Sequence, residues 1–224
     1  MKKAVLEEKG LIDAWQYACS AKYALHAVCV IRNRALELLK LKAGNYKDIV
    51  NGIKELSEED MLIFPPGDVF EVNDNKTSIS FAIGLCIKDV IQYSRNFFEY
   101  LSQVTNVLYL SPRLSEDEVK FSLIKDKLAR TNNNEIADWF KSVSEDDRYL
   151  FVNDYNNRTK HVCDIGYSII VNFEDGAMTG ETNLFRKKNR VYDKRDIFEV
   201  MDECENLLSD KFKDYLHITD KITT

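Results

Sequence analysis

Proline and glycine are scarce, with three and eight in 224 residues. So few breakers imply long uninterrupted elements, which points to helices rather than turn-rich sheet. No apolar run reaches the roughly 18 residues that a membrane span needs. The opening MKKAVLEEKG carries lysines but no apolar core of a leader. The five cysteines (Cys19, Cys29, Cys86, Cys163, Cys204) are odd in number and form no CxxC pair, so neither a disulfide framework nor a zinc site is indicated. Reduced thiols in a cytoplasmic protein, with no membrane attachment, are the expectation. The three histidines are dispersed, and no HExxH, GxSxG or glycine-rich phosphate loop occurs. No cofactor and no metal site are therefore expected, and hydrolases of the common motif classes are not indicated. The net charge of −6 argues against binding nucleic acid through bulk electrostatics, though it leaves room for a local basic site.

The apolar periodicity predicts a mainly α fold. We expect an antiparallel helical bundle over residues 1–224 as one domain, with two long helices, several shorter ones and a small β-hairpin near 166–186. A first long helix is expected from Leu11 to Lys42, with Leu11, Trp15, Ala18, Leu25, Cys29, Leu36 and Leu39 as its seam. Lys22 and Arg32 interrupt that seam, and His26 reads as a satisfied core group. Gly44-Asn45 should break the helix, with a short helix at Tyr46–Leu56 and a turn at Ser57–Asp60 to follow. Pro65-Pro66-Gly67 stops it, before an extended piece at Val69–Val72 and a polar turn at Asn73–Lys76. Thr77 should cap the second long helix, which runs to Leu108. There Ile83, Val90, Phe97 and Val104 alternate with Ile87, Ser94, Leu101 and Leu108 on a seven-residue repeat, as in a core helix or a dimer seam.

Further along, Ser115 and Glu118 form a capping-box signature for a helix to about Arg130, and Glu135–Val143 reads as a short helix. Tyr167, Ile169, Val171 and Phe173 alternate as in a strand, Asp175-Gly176 reads as a turn, and Glu181–Arg186 returns. Asp193 with Asp196 should cap a last helix, with Ile197, Met201, Cys204, Leu208, Phe212 and Tyr215 on one face and a tail that frays at Thr219.

Ser144–Ile165 is the chemically richest stretch. It reads as one helix capped by Ser144, with Phe151, Tyr155 and Val162 on its apolar side at about 100° per residue. Asn153, Asn157 and His161 stand one turn apart on the opposite arc, with Lys160 and Asp164 beside them. Arg158 should send its stem toward the core and need a partner for its guanidinium, and Cys163 should face the apolar arc. His161 and Asp164, at i and i+3, suit orientation of the imidazole. Helix propensity does not ask for so many amides, and Arg158, Lys160 and His161 together could hold a phosphate and move a proton near neutral pH. A solvated or interhelical polar face is the plainer reading of the same stripe.

The run Asn156-Asn157-Arg158-Thr159-Lys160-His161 resembles the Arg-and-His motif helices of HEPN-type proteins, all-α families of toxin–antitoxin and phage-defence systems that include many metal-independent ribonucleases. Only Thr159 and Lys160 separate Arg158 from His161 here, whereas the family pattern has a longer spacing. The resemblance implies a bundle that binds or cleaves RNA without metal, acting as a homodimer. His161, Arg158, Lys160, Asn157 and Asn153 would be its catalytic residues.

Between hairpin and last helix lies RKKNRVYDKR, six basic residues against one acid. Arg186, Lys187, Lys188, Arg190 and Arg195 could follow a phosphate backbone, with Tyr192 available for stacking. A solvated hairpin end is the alternative. Two other readings of the whole chain stand beside RNA binding. One is a non-catalytic module that docks a protein partner. The other is a bundle whose Arg32, Arg95 and Arg158 converge on a small-ligand pocket.

Overall fold

The seven-residue repeat of residues 83–108 becomes the centre of the molecule. In the computed structural model, residues 2–54, 69–72, 75–131, 133–171 and 178–223 are described. The fold is mainly helical with small antiparallel strand pairs. In order the elements are α1 (Lys3–Glu8), α2 (Ile12–Lys54), β1 (Val69–Val72), β2 (Asn75–Ser78), α3 (Ile79–Tyr109), α4 (Phe121–Leu128), α5 (Asn134–Glu145), α6 (Asp147–His161), β3 (Tyr167–Val171), β4 (Met178–Thr182), β5 (Phe185–Lys187), β6 (Arg190–Tyr192) and α7 (Ile197–Thr223). Three separate antiparallel pairs form: β1 with β2, β3 with β4, and β5 with β6.

Ile83, Ile87, Val90, Ile91, Phe97, Phe98, Leu101 and Val104 are all buried within the single chain. They make α3 a core helix, packed against α2, α4, α6 and α7. Phe98 sits in an aromatic cluster with Phe97, Phe121, Trp139 and Tyr149. Edge-to-face pairs of this kind add to the stabilisation from burial. Ser78, not Thr77, caps α3, accepting from the Phe81 N–H at 3.1 Å.

Along α2 the buried stripe is made of small residues, Ala14, Ala18, Ala21, Ala24, Val28 and Ala35. Small side chains let α2 approach α3 closely. The larger residues Leu11, Trp15, Leu25, Cys29, Leu36 and Leu39 flank this stripe, half-buried. His26 points to solvent, about 200° round the helix from Ala24, so it is no core group. The helix also continues through Gly44-Asn45 to Lys54, because one mid-helix glycine costs only about 1 kcal/mol. The expected features at 57–60, at 65–67 and at Asp175-Gly176, and the first half of the Asn73–Lys76 turn, lie outside the described residues, while Asn75 and Lys76 belong to strand β2.

Two capping expectations change. The Ser115–Glu118 box is present, but it closes a 3-10 turn at Glu116–Glu118, and α4 begins only at Phe121. Ser144 lies in the last turn of α5 and donates to the Lys141 carbonyl. The chain breaks at Asp146, which is extended, and the Asp146 carboxylate accepts from the Arg148 N–H at 3.0 Å to start α6. At the far end of the chain, α7 does not fray at Thr219: it runs to Thr223, with Thr219 buried. Its start is capped as expected, the Asp196 carboxylate accepting from the N–H groups of Phe198 and Glu199 at 2.8 and 3.0 Å.

Candidate functional site

Helix α6 ends at His161, four residues earlier than its sequence suggests. Val162 is therefore outside the helix and 63% exposed, and Cys163 and Asp164 are exposed with it. Asp164 does not orient His161: its carboxylate pairs with Lys88 of α3 at 3.0 Å. Burial leaves Phe151 and Tyr155 on the core side of α6 as expected. Asn153, Asn157 and Arg158 are half-buried, while Lys160 and His161 stand in solvent. Arg158, Lys160 and His161 share the last turn, where the helix dipole favours positive charge.

Arg158 has the partner that its position calls for. Its guanidinium donates to the Arg186 carbonyl at 2.9 Å, joining the end of α6 to β5. The basic run is itself a second hairpin, which the periodicity of the chain did not reveal. Lys187 faces Arg190 across a two-residue turn, with Lys188 at a φ of 53°. Alternation was there to be read: Phe185 and Tyr192 occupy partner positions, stack at 4.6 Å, and close over Phe151 of α6. The density of charge around them hid that pattern.

Beneath the hairpin lies one deeply buried carboxylate. Asp154 of α6, 3% exposed at its side chain, pairs with the Arg190 guanidinium at 2.8 Å and accepts from the Tyr192 hydroxyl at 2.9 Å, both at Oδ2. Burial, then this bond to Asp154, pushes the Tyr192 phenol well above its usual range. Asp154 thus locks hairpin to helix, and it was absent from the sequence-derived set. The signal for it was weak: an acid at i−4 from Arg158, on the arc between the polar and apolar sides.

The six basic-stretch residues consequently divide. Arg186 and Lys188 are exposed, and Lys187 is half-buried. Tyr192 and Arg195 turn inward, Arg195 pairing with Glu203 at 2.5 Å and lying 5.0 Å over the Phe151 ring, while Arg190 is exposed with its Nε on Asp154. Tyr192 has one face committed to Phe185. Around these inward groups is a cavity of about 460 Å³ between α6, β6 and α7.

The chain matches no family model, no curated protein and no solved structure. Geometry alone carries the rest. Arg32, Arg95 and Arg158 do not converge. Arg32 pairs with Asp202 and Glu205 of α7, Arg95 with Glu99 one turn along α3, and Arg158 with the β5 backbone. An arginine-lined cavity does exist, but it is built from Arg148, Arg190 and Arg195. Among the described residues no group of three His, Cys, Asp or Glu side chains could hold a metal ion, and no helix is long and apolar enough to cross a membrane.

Proposed function

We propose that this chain binds single-stranded RNA across the surface shared by the C-terminal turn of α6 and the β5–β6 hairpin, and cleaves it there without metal. The hydrogen bond from Arg158 to the Arg186 carbonyl carries this reading, because it joins two basic segments into one surface. Arg186, Lys187 and Lys188 would follow the phosphate backbone, and their charge would act locally despite the acidic whole. His161, exposed in the last turn of α6, would take the proton from a ribose 2′-hydroxyl. The 2′-oxygen then bonds to the adjacent phosphorus as the bond to the 5′-oxygen breaks, and water protonates the leaving oxygen. Lys160 would offset charge on the phosphate, while Asn153 and Asn157 steady the strand. Arg158 acts mainly by holding the hairpin in place. The resemblance to HEPN-type proteins agrees with this chemistry and suggests a cytoplasmic defence or toxin–antitoxin setting.

A second reading, a module that docks another protein or a second copy of itself, draws on a different surface. Tyr23 and Val30 of α2 and Phe81 and Leu85 of α3 are exposed apolar residues. A homodimer through that face would not need the buried seam of α3. The test of the RNA reading is cleavage of a labelled single strand in EDTA. His161→Ala should abolish cutting and preserve binding, and absence of any binding at low salt would leave the docking module instead.

A further inference from the structure

The cavity under the β5–β6 hairpin mixes charges in a way that a phosphate site does not. Arg148, Arg190 and Arg195 line it, but so does Glu203, and the walls between are the rings of Phe151 and Tyr192. A site for phosphate alone would gain nothing from a carboxylate facing the ligand. Carboxylate and guanidinium side by side, next to a flat apolar wall, suit a neutral planar ring with donors and acceptors on one edge.

From this we infer that the cavity is a base subsite for guanine, placed beside the phosphate track; the inference rests on the RNA-binding reading. Guanine presents O6 and N7 as adjacent acceptors, which a guanidinium can meet with two parallel N–H groups. It also presents N1–H and the 2-amino group as adjacent donors, which a carboxylate can accept. Adenine lacks that donor pair, and uracil and cytosine lack the acceptor pair of the purine edge.

The groups needed are not used up inside the protein. One Glu203 oxygen accepts from Arg195, and the other has no partner among the described residues. Arg190 uses only Nε on Asp154, which leaves its two terminal nitrogens for a ligand. Arg148 is more committed, held by Asp146 through Nε and Nη2, so it walls the cavity rather than reading the base. The Arg195 guanidinium over Phe151 supplies a flat cationic platform of the kind on which bases stack. Location completes the argument. Arg190 follows directly on the Lys188–Asn189 turn and faces Lys187 across it, so a strand tracking Lys187 and Lys188 passes the mouth of the cavity.

The test uses fluorescence anisotropy with the full chain and strands of about eight nucleotides. Each is uridine throughout except for one central G, A, C or U. The G strand should bind at least about tenfold more tightly than the U strand. Glu203→Gln, which keeps a bond to Arg195, should erase that preference without weakening the U strand. Leu150→Trp, at a half-buried position of α6 that lines the cavity, should erase it by filling the space. Lys187→Ala with Lys188→Ala should weaken all four strands alike and keep their ratio. Equal binding of the four strands by the unaltered protein would overturn the guanine subsite while the RNA reading stands. A preference that survives both Glu203→Gln and Leu150→Trp would overturn its placement in this cavity. No binding of any strand at low salt would overturn both readings together.

Discussion

Asp154 is the residue on which the candidate surface depends most. Its carboxylate is almost fully buried, and one oxygen, Oδ2, holds both Arg190 and the Tyr192 hydroxyl. Asp154→Ala should therefore cost about 1–3 kcal/mol in chemical denaturation, because the phenol loses its acceptor in a buried place. It should also raise hydrogen exchange at residues 185–192. Unchanged exchange there would mean that the aromatic packing alone holds the hairpin. His161 is the opposite case. Exposed in the last turn of its helix, it should cost under about 1 kcal/mol on truncation to Ala, while RNA cutting is abolished. Sequence made these two residues unequally legible. His161 is the histidine with polar company in the sequence, and the position of Arg158 by itself calls for a partner. Asp154 carries no such signal, because its partners come from 36 and 38 residues away in the chain, Arg190 and Tyr192, and no local pattern announces such a pairing.

At the scale of elements, the long periodic segments were readable and their ends were not. The repeat of α3 and the face of α7 match the structure closely, since a strict period over many turns leaves little choice of buried side. The α5–α6 boundary was misjudged because Ser144 and Asp146 both suit a cap, and Asp146 also gains two bonds from the Arg148 guanidinium at 3.0 and 2.8 Å. Those bonds hold the Asp146 carboxyl below its usual range, outweighing partial burial. A depressed folded value means that this carboxylate stabilises the fold above the unfolded carboxylate range. The contribution fades as the pH falls through the folded value. Asp146→Asn should thus be less stable than the unaltered chain at neutral pH, with the gap shrinking as the pH falls below the usual carboxylate range. A gap independent of pH in urea denaturation would contradict that. The β3–β4 pair depends on one glycine: a Cβ on Gly84 of α3 would collide with the Tyr167 ring. Gly84→Ala should cost about 1–3 kcal/mol by overpacking and loosen residues 167–182 to hydrogen exchange. An unshifted thermal midpoint would show that Tyr167 swings aside freely.

For the whole molecule, the hydrophobic centre is closed within one chain, and the polar chemistry is gathered where α6, the two C-terminal hairpins and the start of α7 meet. Glu181 of β4 bridges to Asp196, and the Thr182 N–H donates to the Arg195 carbonyl at 2.8 Å, so β4 is tied to the segment that enters α7. The mainly helical class followed from scarce glycine and proline, but the meeting of α6 with a basic hairpin is a tertiary fact that composition does not encode. Burial of the α3 seam also changes the argument for a dimer. Exposed apolar residues of α2 and the first turns of α3, Tyr23, Val30, Phe81 and Leu85, offer one surface for self-association. Light scattering at micromolar concentration is expected to give a dimer that Phe81→Glu dissociates; a 26.0 kDa species in the unaltered protein would rule out a site shared between copies.

The central claim is that α6 and the β5–β6 hairpin together form an RNA-binding surface. Its most direct measurement is the salt dependence of binding to a single-stranded RNA in EDTA, for the unaltered chain and for Arg186→Ala/Lys187→Ala/Lys188→Ala. Removing one cation from a phosphate should lower the slope of log K against log salt by about 0.7. The account predicts tight binding at low salt and a slope reduced by about two in the triple variant, with its fold retained. Binding with an identical slope in both proteins, or no binding by the unaltered chain at low salt, would contradict it.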